Sequence, residues 1–174
     1  MGTIVLVEGI TDELAVTLAA RRLGRDLDAE GIQVVPIHGA HAMSRVLKGL
    51  SAGVRVAGLY DVGEEAVIRR AVERSGHDIT GFFACSADLE DELIRAAGVE
   101  LMTRLIELAG DSQPWHTFRR QQAWQGRPAE RQLHRFIRSV SERNSRYVRA
   151  IVEALDPAEL PRPLRLLLDY IRTT

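Results

Sequence analysis

Acidic side chains follow three apolar runs in the first hundred residues. Glu8 directly follows the run Thr3–Val7, and Asp12 lies four residues later. Asp61 ends a second apolar run, and a third acidic cluster begins at Asp88. Carboxylates that are brought close together repel one another unless a proton or a cation lies between them. These residues therefore predict the chemistry of a hard cation such as Mg²⁺ or Mn²⁺, which prefers oxygen ligands.

A zinc site is disfavoured, because the acidic stretches supply no pair of Cys and His at ligand spacing. Cys85 is the only cysteine and lies in the apolar run Gly81-Phe82-Phe83-Ala84-Cys85, which predicts a buried, inert thiol. A single cysteine excludes an intrachain disulfide and fits a reducing compartment. We therefore expect a cytoplasmic protein.

Each acid also has a simpler explanation as a charge at the start of a helix. A helix is expected to begin near Thr11, so that Asp12 lies in its first turn, where a negative charge is favourable. Ser86 or Asp88 could cap a later helix in the same way. Glu8 is the exception, because it ends a buried strand before any helix begins.

The elements that must position these acids alternate along the chain. We predict strands at 3–7, 32–37, 54–60 and 79–85, and helices at 11–23, 41–50, 64–75 and 88–97. Strand and helix units of about 25 to 30 residues predict parallel strands joined by helical crossovers. The predicted fold class is α/β, with a mostly parallel four-stranded sheet and flanking helices. Parallel strands end at one edge, so the three acidic clusters are expected to share one crevice there.

The chain changes character from Val99 onward, where helical periodicity continues without a convincing strand. We predict a compact α/β domain at 1–98 and a basic helical C-terminal extension at 99–174, packed on or beside it. Arginines are crowded in this extension and are interleaved with aromatic residues. These arginines are Arg119, Arg120, Arg127, Arg131, Arg135, Arg138, Arg143, Arg146 and Arg149.

The arginines have two interpretations. They could form a solvated basic face, or they could bind a nucleic-acid backbone, with the aromatic residues contacting bases. The formal net charge is −1, so the chain as a whole does not attract nucleic acid, and binding requires such a local patch. The first apolar run lacks a basic start and is too short to span a membrane, so no membrane association is expected.

Three stretches carry a resemblance to a known family. They are Val5-Leu6-Val7-Glu8-Gly9-x-x-Asp12, Pro36-Ile37-x-Gly39 and Leu89-Glu90-Asp91-Glu92-Leu93. With the strand that ends at Asp61, they resemble a Toprim domain, the metal-binding α/β module of topoisomerases, bacterial primases and some nucleases. The chain is most similar to the Toprim part of the OLD-family (overcoming lysogenization defect) nucleases. The resemblance is strong over 1–98 and loose over the helical remainder.

The resemblance implies a Rossmann-like Toprim fold and metal-dependent phosphodiester cleavage with two metal ions. One ion is expected on Asp61 and the residue two positions later. The other is expected on Glu8, Asp12 and a group that comprises Ser86, Asp88 and Glu90. The resemblance also implies that Glu8 is the general base for the attacking water or a ligand that bridges the metals.

Two positions depart from the family pattern. The second acid of the Asp-x-Asp motif is Gly63 here. Either Glu64 or Glu65 replaces it, or the first metal is bound weakly. The family's late lysine is absent from the matching stretch 141–146, where Arg143 or Arg146 could clamp the phosphate instead. We predict Arg146 as a catalytic residue together with Glu8 and Asp61.

The full-length relatives carry an ATPase domain before the Toprim part. This sequence has no Gly-x-x-x-x-Gly-Lys-Ser/Thr loop, which predicts a stand-alone Toprim protein with no ATP use of its own. A separate ATPase partner is compatible with this interpretation. A monomer or a homodimer is expected.

Three functional hypotheses follow. The favoured one is a Mg²⁺- or Mn²⁺-dependent endonuclease that acts on DNA, with RNA left open as a substrate. Its predicted nucleic-acid contacts are Arg119, Arg120, Arg143 and Arg146. The second is a catalytically weakened Toprim-like module that binds nucleic acid or a protein partner. The third is another phosphotransfer or phosphate-binding α/β enzyme, which would have no use for the arginines.

Overall fold

Four parallel strands form one sheet at the centre of the molecule. A computed structural model describes residues 2–39, 42–51 and 53–172. The strands are β1 (Thr3–Val7), β2 (Ile32–Pro36), β3 (Arg55–Asp61) and β4 (Phe82–Cys85), in the spatial order β2-β1-β3-β4. All three neighbouring pairs are parallel. The predicted α/β fold class, with a helical C-terminal extension, is confirmed.

Helices surround the sheet and continue beyond it. They are α1 (Ile10–Arg22), α2 (Met43–Gly49), α3 (Glu65–Ser75), α4 (Leu89–Leu108), α5 (Ser112–Arg119), α6 (Ala129–Arg138), α7 (Ser141–Ala154) and α8 (Arg162–Tyr170). Short 3-10 turns precede α3 and β4 and lie between α7 and α8. Helix α1 begins at Ile10 rather than at Thr11. The predicted start of the second helix, His41, lies outside the described residues.

The two central strands, β1 and β3, are largely buried on both faces, as their near-continuous apolar runs predict. Successive side chains point to opposite faces, so Val5 and Val7 pack against α1 and the C-terminal helices. Leu6, between them, joins the other cluster, which includes Met43 of α2 and Ile68 of α3. This double packing fixes the strand register and hence the positions of the residues at the carboxyl ends.

The C-terminal helices share the core of the sheet. Helix α7 packs on α1 and α4, and α8 packs on β3 and β4. Helix α4 runs across the predicted boundary at residue 98, where Gly98 breaks the helical backbone with φ 68° and ψ 165°. The division into two domains remains a prediction. None of the helices in the described part of the chain is long and apolar enough to cross a membrane.

Gly58 is required by the close contact between β1, β3 and β4. A Cβ atom at this position would lie 2.5 Å from the Leu6 carbonyl oxygen and 2.9 Å from the Phe82 ring. We expect Gly58→Ala to lower the free energy of unfolding by about 2 to 4 kcal/mol, because the backbone must shift to accept the methyl group. Urea unfolding measures the effect, and Gly49→Ala is the control variant. A Cβ atom at position 49 meets no atom of the described residues within 4 Å. Equal stability of the two variants would contradict the packing described here.

Candidate metal centre

Five acidic side chains line one cavity at the carboxyl edge of the sheet. The cavity has a volume of about 290 Å³ and lies where β1 and β3 end and where α1 and α4 begin. The acids are Glu8, Asp12, Asp61, Asp88 and Glu90. The structure therefore brings together the three acidic clusters that the parallel-sheet prediction placed at one edge.

Glu8 and Asp12 are positioned by the tight connection from β1 to α1. Gly9 is the N-cap residue of α1, and its backbone N–H donates to Asp12 Oδ2 at 2.9 Å. Thr11 therefore lies inside the first turn and is not the cap. Burial, followed by the nearby charges of Glu90 and Glu8, raises the pKa of Asp12 to about 7, although the Gly9 hydrogen bond opposes the rise.

Asp61 ends β3, opposite Cys85 of β4 in the sheet register. Burial raises its pKa to about 8, and the charges of Glu8, Asp88, Asp12 and Glu64 add to the effect. A carboxyl group in this position holds its proton at neutral pH unless a cation is bound beside it. Cys85 itself is buried, as the sequence predicts, and burial raises the pKa of its thiol further above the ordinary range.

Glu90 is buried, with 7% of its surface exposed, in the first turn of α4. Its partner is Asn144 of α7, whose Nδ2 donates to Glu90 Oε1 at 2.6 Å and lies 3.4 Å from Thr11 Oγ1. Asn144 Oδ1 is buried and has no hydrogen-bond partner within the described part of the chain. Such a buried acceptor is costly and indicates that a donor or a cation belongs beside it.

Asp88 is already neutralised by the chain. His134 Nε2 lies 2.8 and 3.0 Å from its two carboxylate oxygens, Arg138 forms an ion pair with it, and the Asp91 N–H donates to it at 2.8 Å. Burial alone would raise the pKa of Asp88, but the hydrogen bonds from His134 and Asp91 and the neighbouring positive charge hold it below its usual range. Asp88 is also the N-cap of α4, as one of the simpler interpretations predicted.

One residue that lines the crevice, His38, has an unusual backbone conformation. His38 adopts φ 55°, a left-handed conformation that is uncommon for a non-glycine residue, and Gly39 follows with φ 106°. The His38 N–H donates to the Glu8 carbonyl oxygen at 2.8 Å, which holds the loop against the end of β1. Strained backbone of this kind is frequent at functional sites.

Three predicted site residues lie away from the crevice. Ser86 is exposed, and its N–H donates to Glu92 Oε1 at 2.8 Å. Arg146 forms an ion pair with Asp111, and Arg143 lies 3.6 Å from the same carboxylate and over the Phe136 ring. The structure does not bring the guanidinium of Arg146 or of Arg143 to the acids, because Asp111 holds both.

The other two predicted nucleic-acid contacts lie at the end of α5. Arg119 Nε donates to Gln132 Oε1 at 3.2 Å, and its guanidinium lies over the Trp115 ring. Arg120 is exposed and follows α5. Neither lines the acidic cavity.

Sequence reasoning missed four residues that shape the site: His38, His134, Arg138 and Asn144. Arg138 belonged to the crowded arginines but had no feature that distinguished it from the others. Its distinguishing property is spatial, since it is the only arginine or lysine among the described residues that line the cavity. The motif Pro36-Ile37-x-Gly39 gave a signal for His38, because Gly39 follows it directly.

The crevice suits a hard cation in its chemistry, although its ligands are not assembled on one point. Within the described ranges, no group of three or more His, Cys, Asp or Glu is arranged to hold an ion. The donors that face the cavity are nevertheless mainly carboxylate oxygens, as Mg²⁺ and Mn²⁺ prefer. A bound cation would give the unpartnered Asn144 Oδ1 a partner and would favour the ionised forms of Asp12 and Asp61, whose pKa values are raised.

The sheet order, its helical layers and the acidic carboxyl edge define a Toprim-type α/β domain. The family model described as "Overcoming lysogenization defect protein-like, TOPRIM domain" matches residues 2–62. This stretch contains β1, β2 and β3 together with Glu8, Asp12 and Asp61. The predicted resemblance to the Toprim part of the OLD proteins is confirmed.

Solved structures extend the likeness over nearly the whole chain. The C-terminal region of the Burkholderia pseudomallei OLD protein superposes with a TM-score of 0.71 and 20% identity, over 98% of this chain and 96% of that one. The C-terminal region of the Xanthomonas campestris pv. campestris OLD protein gives 0.72 and 23%, over 97% and 93%. At these identities the likeness establishes the fold, including its helical C-terminal part. No sequence among the curated proteins matches the chain.

Proposed function

We propose that this protein is a divalent-metal-dependent nuclease that hydrolyses phosphodiester bonds of DNA. The observation that carries the proposal is the convergence of five carboxylates on one crevice of a Toprim-type fold. The ionised acids of the crevice repel a phosphodiester, so substrate binding there requires cations between them. RNA as a substrate and a separate ATPase partner remain compatible with the proposal.

Four acids are available to hold Mg²⁺ or Mn²⁺. Glu8, Asp12 and Glu90 would hold one ion, and Asp61 would hold the other. Glu64 lies near Asp61, since its charge contributes to the raised pKa of Asp61. Asp88 joins the first group only if it gives up His134 and Arg138. When bound, the ions would lower the pKa of an attacking water and stabilise the charge that develops on the phosphate.

The chain's own residues would orient the reaction. Glu8 lies at the end of a buried strand, where it can accept the proton of the attacking water as general base. Asn144 fixes one oxygen of Glu90, which leaves the other free to face the cavity. Arg138, which lines the crevice, would donate to a phosphate oxygen, because a guanidinium binds phosphate as it binds the Asp88 carboxylate.

The structure favours Arg138 over Arg146 as the cationic residue of the site, and a pair of variants separates them. We expect Arg138→Gln to lower kcat for plasmid cleavage roughly 100-fold, because charge stabilisation at the phosphate is lost. We expect Arg146→Gln to change cleavage much less, since Arg146 does not line the crevice and pairs with Asp111 instead. Circular dichroism checks that both variants are folded. If Arg146→Gln lowered cleavage more than Arg138→Gln, Arg146 would regain the catalytic role.

A second candidate function is a non-catalytic binding module of the same fold. Gly63 favours it, because this exposed glycine stands where the motif would supply a second metal-binding acid. Asp61 would then bind a cation weakly or hold its proton, and the protein would grip nucleic acid without cutting it.

Incubation of the purified protein with supercoiled plasmid distinguishes the two candidates. We expect nicked or linear product with Mg²⁺ or Mn²⁺ and none with EDTA. Absence of product with either metal, together with a retained gel shift, would overturn the nuclease and leave the binding module.

A further inference from the structure

Helix α6 carries a row of exposed arginines that leads to the acidic crevice. Arg131, Arg135 and Arg138 are spaced by four and three residues and therefore share one face of the helix. Arg127 lies just before the helix, and Arg138 lines the crevice. We call Arg127, Arg131 and Arg135 the α6 track.

The α6 track differs from most of the other crowded arginines in having no internal partner. Arg143 and Arg146 share Asp111, and Arg119 is bound to Gln132. The three side chains of the track are exposed and form no ion pair or hydrogen bond with any residue that the structure describes. Unpaired guanidinium groups beside a site for a polyanion are available to bind phosphates.

An aromatic side chain lies beside the track. Trp124 lines a cavity of about 420 Å³ together with all three track arginines and His134. One side of its indole stacks on Phe118, at 5.2 Å between ring centroids. Arginines around an aromatic ring suit a nucleotide, whose phosphate binds the cation and whose base packs on the ring.

His134 relates the two cavities, because its side chain lines the Trp124 cavity and is hydrogen-bonded to Asp88, which lines the crevice. Seven residues separate Arg131 from Arg138, which is about 10 Å along a helix axis. This distance corresponds to about three nucleotides of a strand at 3.4 Å each.

We propose that the α6 track binds one strand of the nucleic-acid substrate on its way to the crevice. The strand's phosphates lie on Arg135, Arg131 and Arg127, and an unpaired base packs against Trp124. This inference deepens the proposed nuclease function and rests on it for the identity of the ligand. It places backbone recognition on α6 rather than on Arg143 and Arg146.

Fluorescence anisotropy with a labelled single-stranded oligonucleotide tests the track. The variant Arg127→Gln/Arg131→Gln/Arg135→Gln is expected to bind roughly tenfold or more weakly at moderate salt. The slope of log affinity against log salt concentration should become shallower by about 2, because each of the three lost phosphate contacts contributes about 0.7 to it. The matched control removes three exposed arginines elsewhere: Arg70→Gln/Arg74→Gln/Arg104→Gln. Equal affinity and slope in the two variants would overturn the track.

The base contact has its own readout. The chain contains two tryptophans, so Trp115→Phe leaves Trp124 as the only one. Saturating oligonucleotide is expected to quench its fluorescence, and unchanged fluorescence with binding confirmed by anisotropy would overturn the contact.

These binding assays are run in EDTA, so their outcome does not depend on catalysis. A parent protein that binds through the track but never cleaves plasmid would refute the nuclease and keep the track. A parent that cleaves plasmid, with equal binding by the two triple variants, would refute the track and keep the nuclease.

Discussion

Replacing Glu8 by glutamine is expected to abolish plasmid cleavage while the protein stays folded. Glutamine keeps the size of the side chain but loses the negative charge and the capacity to accept a proton as a general base. Since Glu8 is a proposed metal ligand as well, we expect the rate to fall roughly 1,000-fold or more. The measurement is the initial rate of nicking with Mn²⁺, alongside the thermal midpoint of each protein.

The matched control for this variant is Glu13→Gln. Glu13 lies in the first turn of the same helix but faces a different cavity, outside the acidic crevice. It is expected to cut at the rate of the parent. If Glu8→Gln also cut at that rate, the crevice would not be the active site.

Asp61→Asn is expected to stabilise the metal-free protein at alkaline pH and to abolish cleavage. Because the pKa of Asp61 is raised to about 8 in the folded state, folding favours its protonated form. The stability that this group contributes is complete below its unfolded pKa, near 4, and is lost as the pH rises to about 8. Asparagine carries no charge at any of these pH values, so the variant does not lose this stability as the pH rises.

At a pH of about 8, we expect the free energy of unfolding of Asp61→Asn to exceed that of the parent by about 1 to 2 kcal/mol. This figure allows for solvent screening of a half-buried group. Asp12, whose pKa is raised to about 7, acts in the same window. Asp88 acts in the opposite direction. Its lowered pKa gives stability that is present above its unfolded value and lost in more acidic solution.

Urea unfolding at about pH 5 and about pH 8, with EDTA or with Mn²⁺, measures these effects. In EDTA the parent should be less stable at the higher pH, and Mn²⁺ should restore more stability there than at the lower pH, because the metal binds the ionised carboxylates. Asp61→Asn should show weaker versions of both effects. A parent whose stability does not depend on pH between these values would contradict the buried, clustered acids described here.

Local patterns in the sequence were sufficient to predict the sheet and the acids at its edge. The apolar run before Glu8 gave β1 with its correct bounds, and the alternation of strands with helices gave parallel pairing. Parallel pairing then placed Glu8, Asp61 and Glu90 at one edge without any information on side-chain contacts. The predicted crevice followed from topology, which short-range patterns determine well.

The contacts between the sheet edge and the C-terminal helices could not be predicted in this way. Asn144 meets Glu90, and Arg138 meets Asp88, across about fifty residues of chain. Periodicity indicates that a helix forms but does not fix which of its polar residues faces a distant element. For the same reason, the sequence did not show that Arg146 pairs with Asp111, which lies 35 residues away at the start of α5.

The most direct test of the proposed metal centre is anomalous X-ray diffraction from crystals grown with Mn²⁺. We expect an anomalous peak among Glu8, Asp12 and Glu90, and a second, weaker peak beside Asp61. Both peaks should vanish in Glu8→Gln/Asp61→Asn crystals grown in the same way. Anomalous peaks found only outside the acidic crevice, or none at a saturating Mn²⁺ concentration, would contradict the proposed metal centre.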